Sequence, residues 1–345
     1  MNENNGFNNQ PEIIEMTQEE RKLHKRTFGK LCLSYVVYLL LVQVLVVLAS
    51  LFLQSYKPEI LTDTNYSLII SSVIQYVIAF PIFALIISKI PKHAPSEKSI
   101  SIKTFIKYLL IAMFIMYVGN YISLMIMTYV EQFIGKAPEN TVDTMLNNSN
   151  VIVSALIVGI IGPIVEELMF RKIFIDRLNP YGEAVCVFFP ALMFGLFHGN
   201  LYQFFYAFLI GAVFSYIYVK TGKIIYSTIL HIFINLFCGV LPSKILSMIN
   251  VEELLELVEQ GTLTEEYIMA NMVPLSLFGI YEFLMLGMIF AGIFTLARNI
   301  RNIKFEKGEI RLPKGYGADI MFGNAGAIIL VAVCVFLMAY STFAI

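Results

Sequence analysis

The sequence predicts an all-α, polytopic transmembrane helix bundle of about nine spans, with eight the nearest other count. Three observations predict it. Of 345 residues, 58% are hydrophobic and 14% charged, whereas a soluble domain carries roughly 25% charged residues. The apolar residues come in blocks of about twenty, the length a helix needs to cross the hydrocarbon core of a bilayer. The basic residues alternate: of 24 Lys and Arg, 21 fall on one set of alternate flanks and 3 on the other.

Taken in order, residues 1–30 form a polar arm ending in Arg21, Lys22, Lys25, Arg26 and Lys30. Its Asn/Gln-rich part, before about residue 17, has the composition of a disordered segment. The block 31–54 is too long and too far from the start for a cleaved signal peptide, so it reads as the first span. Further spans read as 67–88, 105–129, 151–171, 183–199, 202–219, 224–240, 275–297 and 322–344. Pro81, Pro163, Pro190 and Pro274 fall within or beside them, which membrane helices tolerate when neighbours satisfy the freed backbone groups. By the positive-inside rule the basic asymmetry puts the N-terminus in the cytoplasm. The chain divides into the arm 1–30, N-terminal helices 31–149, a polar-bearing core 150–240, an outer acidic segment 241–274 and C-terminal helices 275–345. The acidic segment, with Glu252, Glu253, Glu256, Glu259, Glu265 and Glu266 among leucines, reads as one or two amphipathic helices at the surface. Cys32, Cys186, Cys238 and Cys334 stand far apart in apolar stretches and read as buried small hydrophobes. No broad basic face suggests nucleic acid.

Ionisable residues inside membrane spans are rare and mark function by default. Here they are Glu166, Glu167, Arg171, His198, His231 and Glu282, with Asn235 beside them. Glu167 and Arg171 are spaced i,i+4 and can pair. Glu166 is turned about 100° from Glu167 on a helix, so it needs another partner. His231 and Asn235 share a face, and His198 comes from a different helix. Polar contacts holding the bundle together would explain any one of these residues, and Glu282 stays unassigned. A carboxylate and two imidazoles in three apolar helices have a sharper use. A carboxylate beside an imidazole can hold and deprotonate a water, and an imidazole paired with an amide can donate to a developing oxyanion. HExxH and GxSxG are absent, and Gly315-Tyr-Gly-Ala-Asp319 is not a GxGD motif.

The pattern Glu166-Glu167…Arg171, Phe194…His198 and His231…Asn235 resembles EExxxR, FxxxH and HxxxN, in that order on successive spans. It is the signature of the CAAX-processing and bacteriocin-processing family of intramembrane endopeptidases, also called the Abi or type II CAAX endopeptidase-like family. The resemblance covers about residues 150–240. It implies Glu166 as general base, His198 holding the water, His231 and Asn235 as the oxyanion pocket, and Glu167 and Arg171 in support. It implies a peptide or lipidated-protein substrate, a bacterial cell membrane and no cofactor, and leaves the oligomeric state open. Three other readings stand beside it: a metallopeptidase with zinc or another divalent metal on Glu166, His198 and His231, a non-catalytic immunity or scaffold protein, and a transporter. With the spans bounded as above, Glu166 and His198 would differ in depth by about 15 Å. Sharing one water requires span four to run deeper, about 156–177, the stretch 171–181 to dip into the membrane, or span five to be tilted or to start late.

Overall fold

The computed structural model describes residues 16–313 and 315–343. The arm expected to be disordered lies, up to residue 15, outside them. Among the described residues there are nine long or apolar helices and no strand, only an isolated bridge between Gly182 and Lys307. They are α1 (Gln18–Tyr56), α2 (Thr64–Ile87), α3 (Ile102–Ile134), α4 (Val151–Tyr181), α5 (Glu183–Phe197), α6 (Leu201–Thr221), α7 (Ile224–Leu246), α8 (Met272–Asn299) and α9 (Ala325–Phe343). All but α5 are long and apolar enough to cross a membrane. At about 22 Å, α5 is short of the roughly 30 Å core. The outward surfaces are apolar, with Phe52, Val77, Phe283 and Phe290 each 64–78% exposed, as lipid contact requires. The chain is an integral, multi-pass membrane protein.

The loops meet alternately at two ends. At the basic end, Arg21 and Lys25 pair with Asp319, the His93 amide bonds Asp176, and Lys220 pairs with Glu183. At the other end, Asn65 accepts from the Asn150 amide, Ser243 bonds Asn147, and Ser341 bonds the Gly199 carbonyl. α5 thus counts as a traverse, and the alternation read from the basic flanks is kept. α6 is the central post, packed on α5 and α3, with α8 outside α3 and α9 against α1. The acidic segment holds two short helices, Val251–Glu259 and Glu265–Ala270, with no buried residue in either. The arm's basic run, expected as a separate segment, is the first part of α1, started by a Thr17–Glu20 capping box.

Span four differs most from expectation. It runs ten residues past 171, to Tyr181, because its charges are satisfied within the protein. Lys172 pairs with Asp176, Tyr218 donates to Asp176, and Arg177 donates to the carbonyls of Ile87 and Ile173. The extension removes the depth mismatch. Glu166 lies fifteen residues before Tyr181 and His198 fifteen after Glu183, each about 22 Å along its helix from the shared turn.

Three of the helices widen to π-turns just before a proline: Val73–Ala79 before Pro81, Ala155–Ile161 before Pro163, and Asn235–Val240 before Pro242. Proline has no N–H for the carbonyl four residues back. The widened register shifts bonding to the fifth residue, as in Gly162 to Ile157 and Leu241 to Leu236. π-turns recur at functional sites, and two of these flank the charged residues.

Candidate active site

α4 carries Glu166 and Glu167 between the π-turn Ala155–Ile161 and a second one, Leu168–Ile173. Glu167 and Arg171 are both fully buried, and the guanidinium Nη2 lies 3.2 Å from Glu167 Oε1. The expected i,i+4 pair is therefore formed. Arg171 also lies over the Phe194 ring at 4.6 Å and the Phe214 ring at 5.4 Å, aromatic faces that favour a cation.

His231, from α7, is the partner that Glu166 needs. Its Nδ1 lies 3.1 Å from Glu167 Oε1, and its Nε2 lies 3.5 Å from Glu166 Oε2. A carboxylate oxygen beside Nδ1 fixes that nitrogen as the donor. A ring nitrogen and a carboxylate oxygen at the Nε2 side face each other stably only with a proton between them. Glu166 keeps partial access, its side chain 18% exposed.

His198 caps the end of α5. Its Nδ1 lies 2.8 Å from the Phe194 carbonyl, which can only accept. The proton is thus on Nδ1, and the neutral ring presents Nε2 as an acceptor for a water O–H. Phe194 stands between the imidazoles, its centroid 4.8 Å from His198 and 5.6 Å from His231.

Asn235 has a backbone task. Its Nδ2 donates to the Val158 carbonyl at 2.9 Å. In the widened register, residue 163 would bond that carbonyl, and Pro163 has no N–H. Asn235 fills the gap, and its second amide hydrogen stays free. Leu236 seats against Gly159, where a Cβ would lie 2.3 Å from its Cδ2. Glu282 is not brought in: it sits on an exposed face of α8.

Sequence reasoning missed the tyrosines. Tyr76 Oη and Glu166 Oε1 both lie beside Gly162, 3.2 and 3.9 Å from where a Cβ would stand, and the Tyr206 hydroxyl on α6 accepts from Gln203. The position of Tyr76 in the middle of α2 was the available signal.

Among the described residues no group of three or more His, Cys, Asp or Glu is placed to hold a metal ion. Of the His₂Glu set, His231 Nε2 and Glu166 Oε2 face each other at 3.5 Å, while His231 Nδ1 is turned to Glu167. The four cysteines are free, three buried and Cys238 half-buried.

A bundle of membrane-length helices with paired glutamates and two imidazoles at a common level defines a polytopic membrane protein with a built polar site. Residues 148–237, which include every motif residue, match the family described as Type II CAAX prenyl endopeptidase Rce1-like. The matched segment is the stretch whose motifs resemble the CAAX-processing and bacteriocin-processing family. The chain is also 29% identical over 171 residues to a Bacillus subtilis (strain 168) protein described as "Putative membrane peptidase YdiL", a stretch covering 48% of this chain and 68% of that one. No solved structure matches the chain.

Proposed function

We propose that the protein is an intramembrane endopeptidase that cleaves peptide bonds with a water activated by Glu166 and His198. The observation that carries this reading is the buried run Arg171–Glu167–His231–Glu166, with contacts of 3.2, 3.1 and 3.5 Å. A structural cross-link needs no carboxylate at its open end. Here the run ends on Glu166, which is partly accessible and level with the free Nε2 of His198.

In this mechanism His198 Nε2 accepts one hydrogen of the water, and Glu166 takes its proton as the oxygen attacks the scissile carbonyl. Glu166 then returns that proton to the leaving amine. His231, holding two carboxylates through two ring nitrogens, keeps Glu166 oriented and counterbalances its charge. The free amide hydrogen of Asn235 is available to the oxyanion. No nucleophilic Ser or Cys and no metal is used.

The substrate is a membrane-associated peptide or lipidated protein, of CAAX-like or leader type. On this reading the basic end of the bundle, with the N-terminus, faces the cytoplasm of a bacterial cell, as the basic asymmetry suggests. Comparative proteomics of membranes carrying wild-type or E166Q protein tests the reading. Uncleaved peptides accumulating with E166Q support it. Identical peptide profiles, with both proteins expressed equally, exclude it.

A further inference from the structure

A chain of hydrogen bonds with only one possible direction runs along the start of α6. Asn200 caps the helix, its Oδ1 accepting the Gln203 backbone N–H at 2.8 Å. A backbone N–H can only donate, so the Asn200 oxygen must face it and Nδ2 must lie on the other side. Nδ2 donates to Gln203 Oε1 at 2.7 Å and to the His198 carbonyl at 3.3 Å. With its oxygen engaged, Gln203 presents Nε2, 2.8 Å from the Tyr206 hydroxyl. The Tyr206 oxygen therefore accepts, and its own proton is left to donate elsewhere.

That proton has a use in the site. The chain begins at the carbonyl of His198, and Tyr206 is packed against both apolar clusters, one holding Phe194 and the other Phe214, the rings that lie 5.6 and 5.1 Å from the His231 ring. The Tyr206 backbone is seated against α3 at Gly119, where a Cβ would come within 2.4 Å of the Tyr206 Cα. Meanwhile both ring nitrogens of His231 face carboxylates, and one Asn235 hydrogen is given to Val158. The oxyanion is thus short of donors.

We propose that the Tyr206 hydroxyl is a catalytic hydrogen-bond donor to the substrate's scissile carbonyl, its proton held in the donating direction by Asn200 and Gln203. This rests on the peptidase reading above. Water adds to the carbonyl carbon and its proton passes to Glu166. The carbonyl oxygen gains the negative charge and accepts from Tyr206, whose own O–H bond stays intact. Gln203 is a positioning residue. It supplies an N–H to the phenol oxygen, and a carboxylate at 203 would instead accept the phenol proton and turn it out of the site.

The test uses full-length protein in nanodiscs and a fluorogenic peptide copied from a cleavage site found by the proteomic comparison. Y206F should lower kcat about a hundredfold or more, the loss typical of one oxyanion donor, with KM little changed. Q203E should lower kcat by a similar factor with the phenol still present. A structural role for Tyr206 would not make Q203E mimic Y206F. Infrared spectra of protein carrying ring-labelled tyrosine at 206 read the phenol's hydrogen-bond role without turnover. They should show an acceptor in the wild type and a donor in Q203E. Wild-type kcat in Y206F alongside an inactive E166Q overturns the hydroxyl's role alone. Wild-type kcat in Q203E, or a donor signature in the resting wild type, overturns the fixed direction. Cleavage by E166Q at the wild-type rate overturns the peptidase reading and this role with it.

Discussion

His231 and Glu166 face each other across 3.5 Å, Nε2 to Oε2, while the far side of the same imidazole touches Glu167. With one proton between His231 and Glu166, the four groups Arg171, Glu167, His231 and Glu166 sum to zero charge. A neutral run is what a buried site can hold at tolerable desolvation cost.

Removing Glu166, the proposed base, should separate activity from fold. E166Q keeps the shape and can still hydrogen-bond His231, so its thermal unfolding in detergent should match the wild type within about 1 kcal/mol. Peptide cleavage should fall about 10²–10⁴-fold, the typical contribution of a general base. Kinetics and unfolding measured on one preparation check both outcomes.

Arg171 should matter for stability more than for chemistry. R171M leaves Glu167 buried without its cation, a change that costs about 3–5 kcal/mol in comparable buried pairs. The double variant E167Q/R171M removes both charges and should be more stable than R171M alone. Thermal unfolding of the wild type, E167Q, R171M and the double variant forms the cycle, and additive losses would show that the two side chains do not depend on one another.

Much of this site was legible in the sequence because motif spacing carries geometry. The i,i+4 rule gave Glu167–Arg171, and the 100° offset gave Glu166 a separate partner. The lower limit of α4 was not legible. Arg171, Lys172, Asp176 and Arg177 lower the local hydropathy, and their partners, Tyr218 and the Ile87 carbonyl, come from other helices. Pairing across helices leaves no local trace. The same holds for Asn235, whose acceptor is set by a π-turn and a proline on α4, and for the Asn200–Gln203–Tyr206 chain.

The contact beneath Asn235 offers a packing test. A side chain at Gly159 would meet Leu236 at 2.3 Å, so G159V should push α7 from α4 and strain the Asn235–Val158 bond. Overpacking of this kind costs about 1–3 kcal/mol, and cleavage should fall with it. L236A in the same chain should recover part of both. Melting curves and rates of the single and double variants decide it, and a G159V protein with wild-type values would show that the two π-turns need not touch.

Metal removal should leave cleavage unchanged. Among the described residues no three His, Cys, Asp or Glu side chains converge on one point, and the proposed mechanism uses Glu166 and His198 without an ion. Activity is to be measured before and after strong chelation and repurification in metal-free buffer. Loss on chelation with recovery on adding zinc would require His231 to leave both glutamates and would restore the His₂Glu reading.

The basic end of the bundle has its own titration. Hydrogen bonds from Lys25 and Arg21 hold the Asp319 carboxyl below its ordinary value, tying the start of α1 to the short helix Gly317–Phe322. A depressed carboxyl adds stability that is fully present above its unfolded value, about 3.9, and is lost as pH falls through the lower folded value. Hydrogen exchange of residues 18–30 should therefore stay slow from neutral pH down to about pH 4 and quicken only below it. D319N should show faster exchange at neutral pH and no such acid step. An acid step that survives in D319N would assign the titration to another group at this end of the bundle.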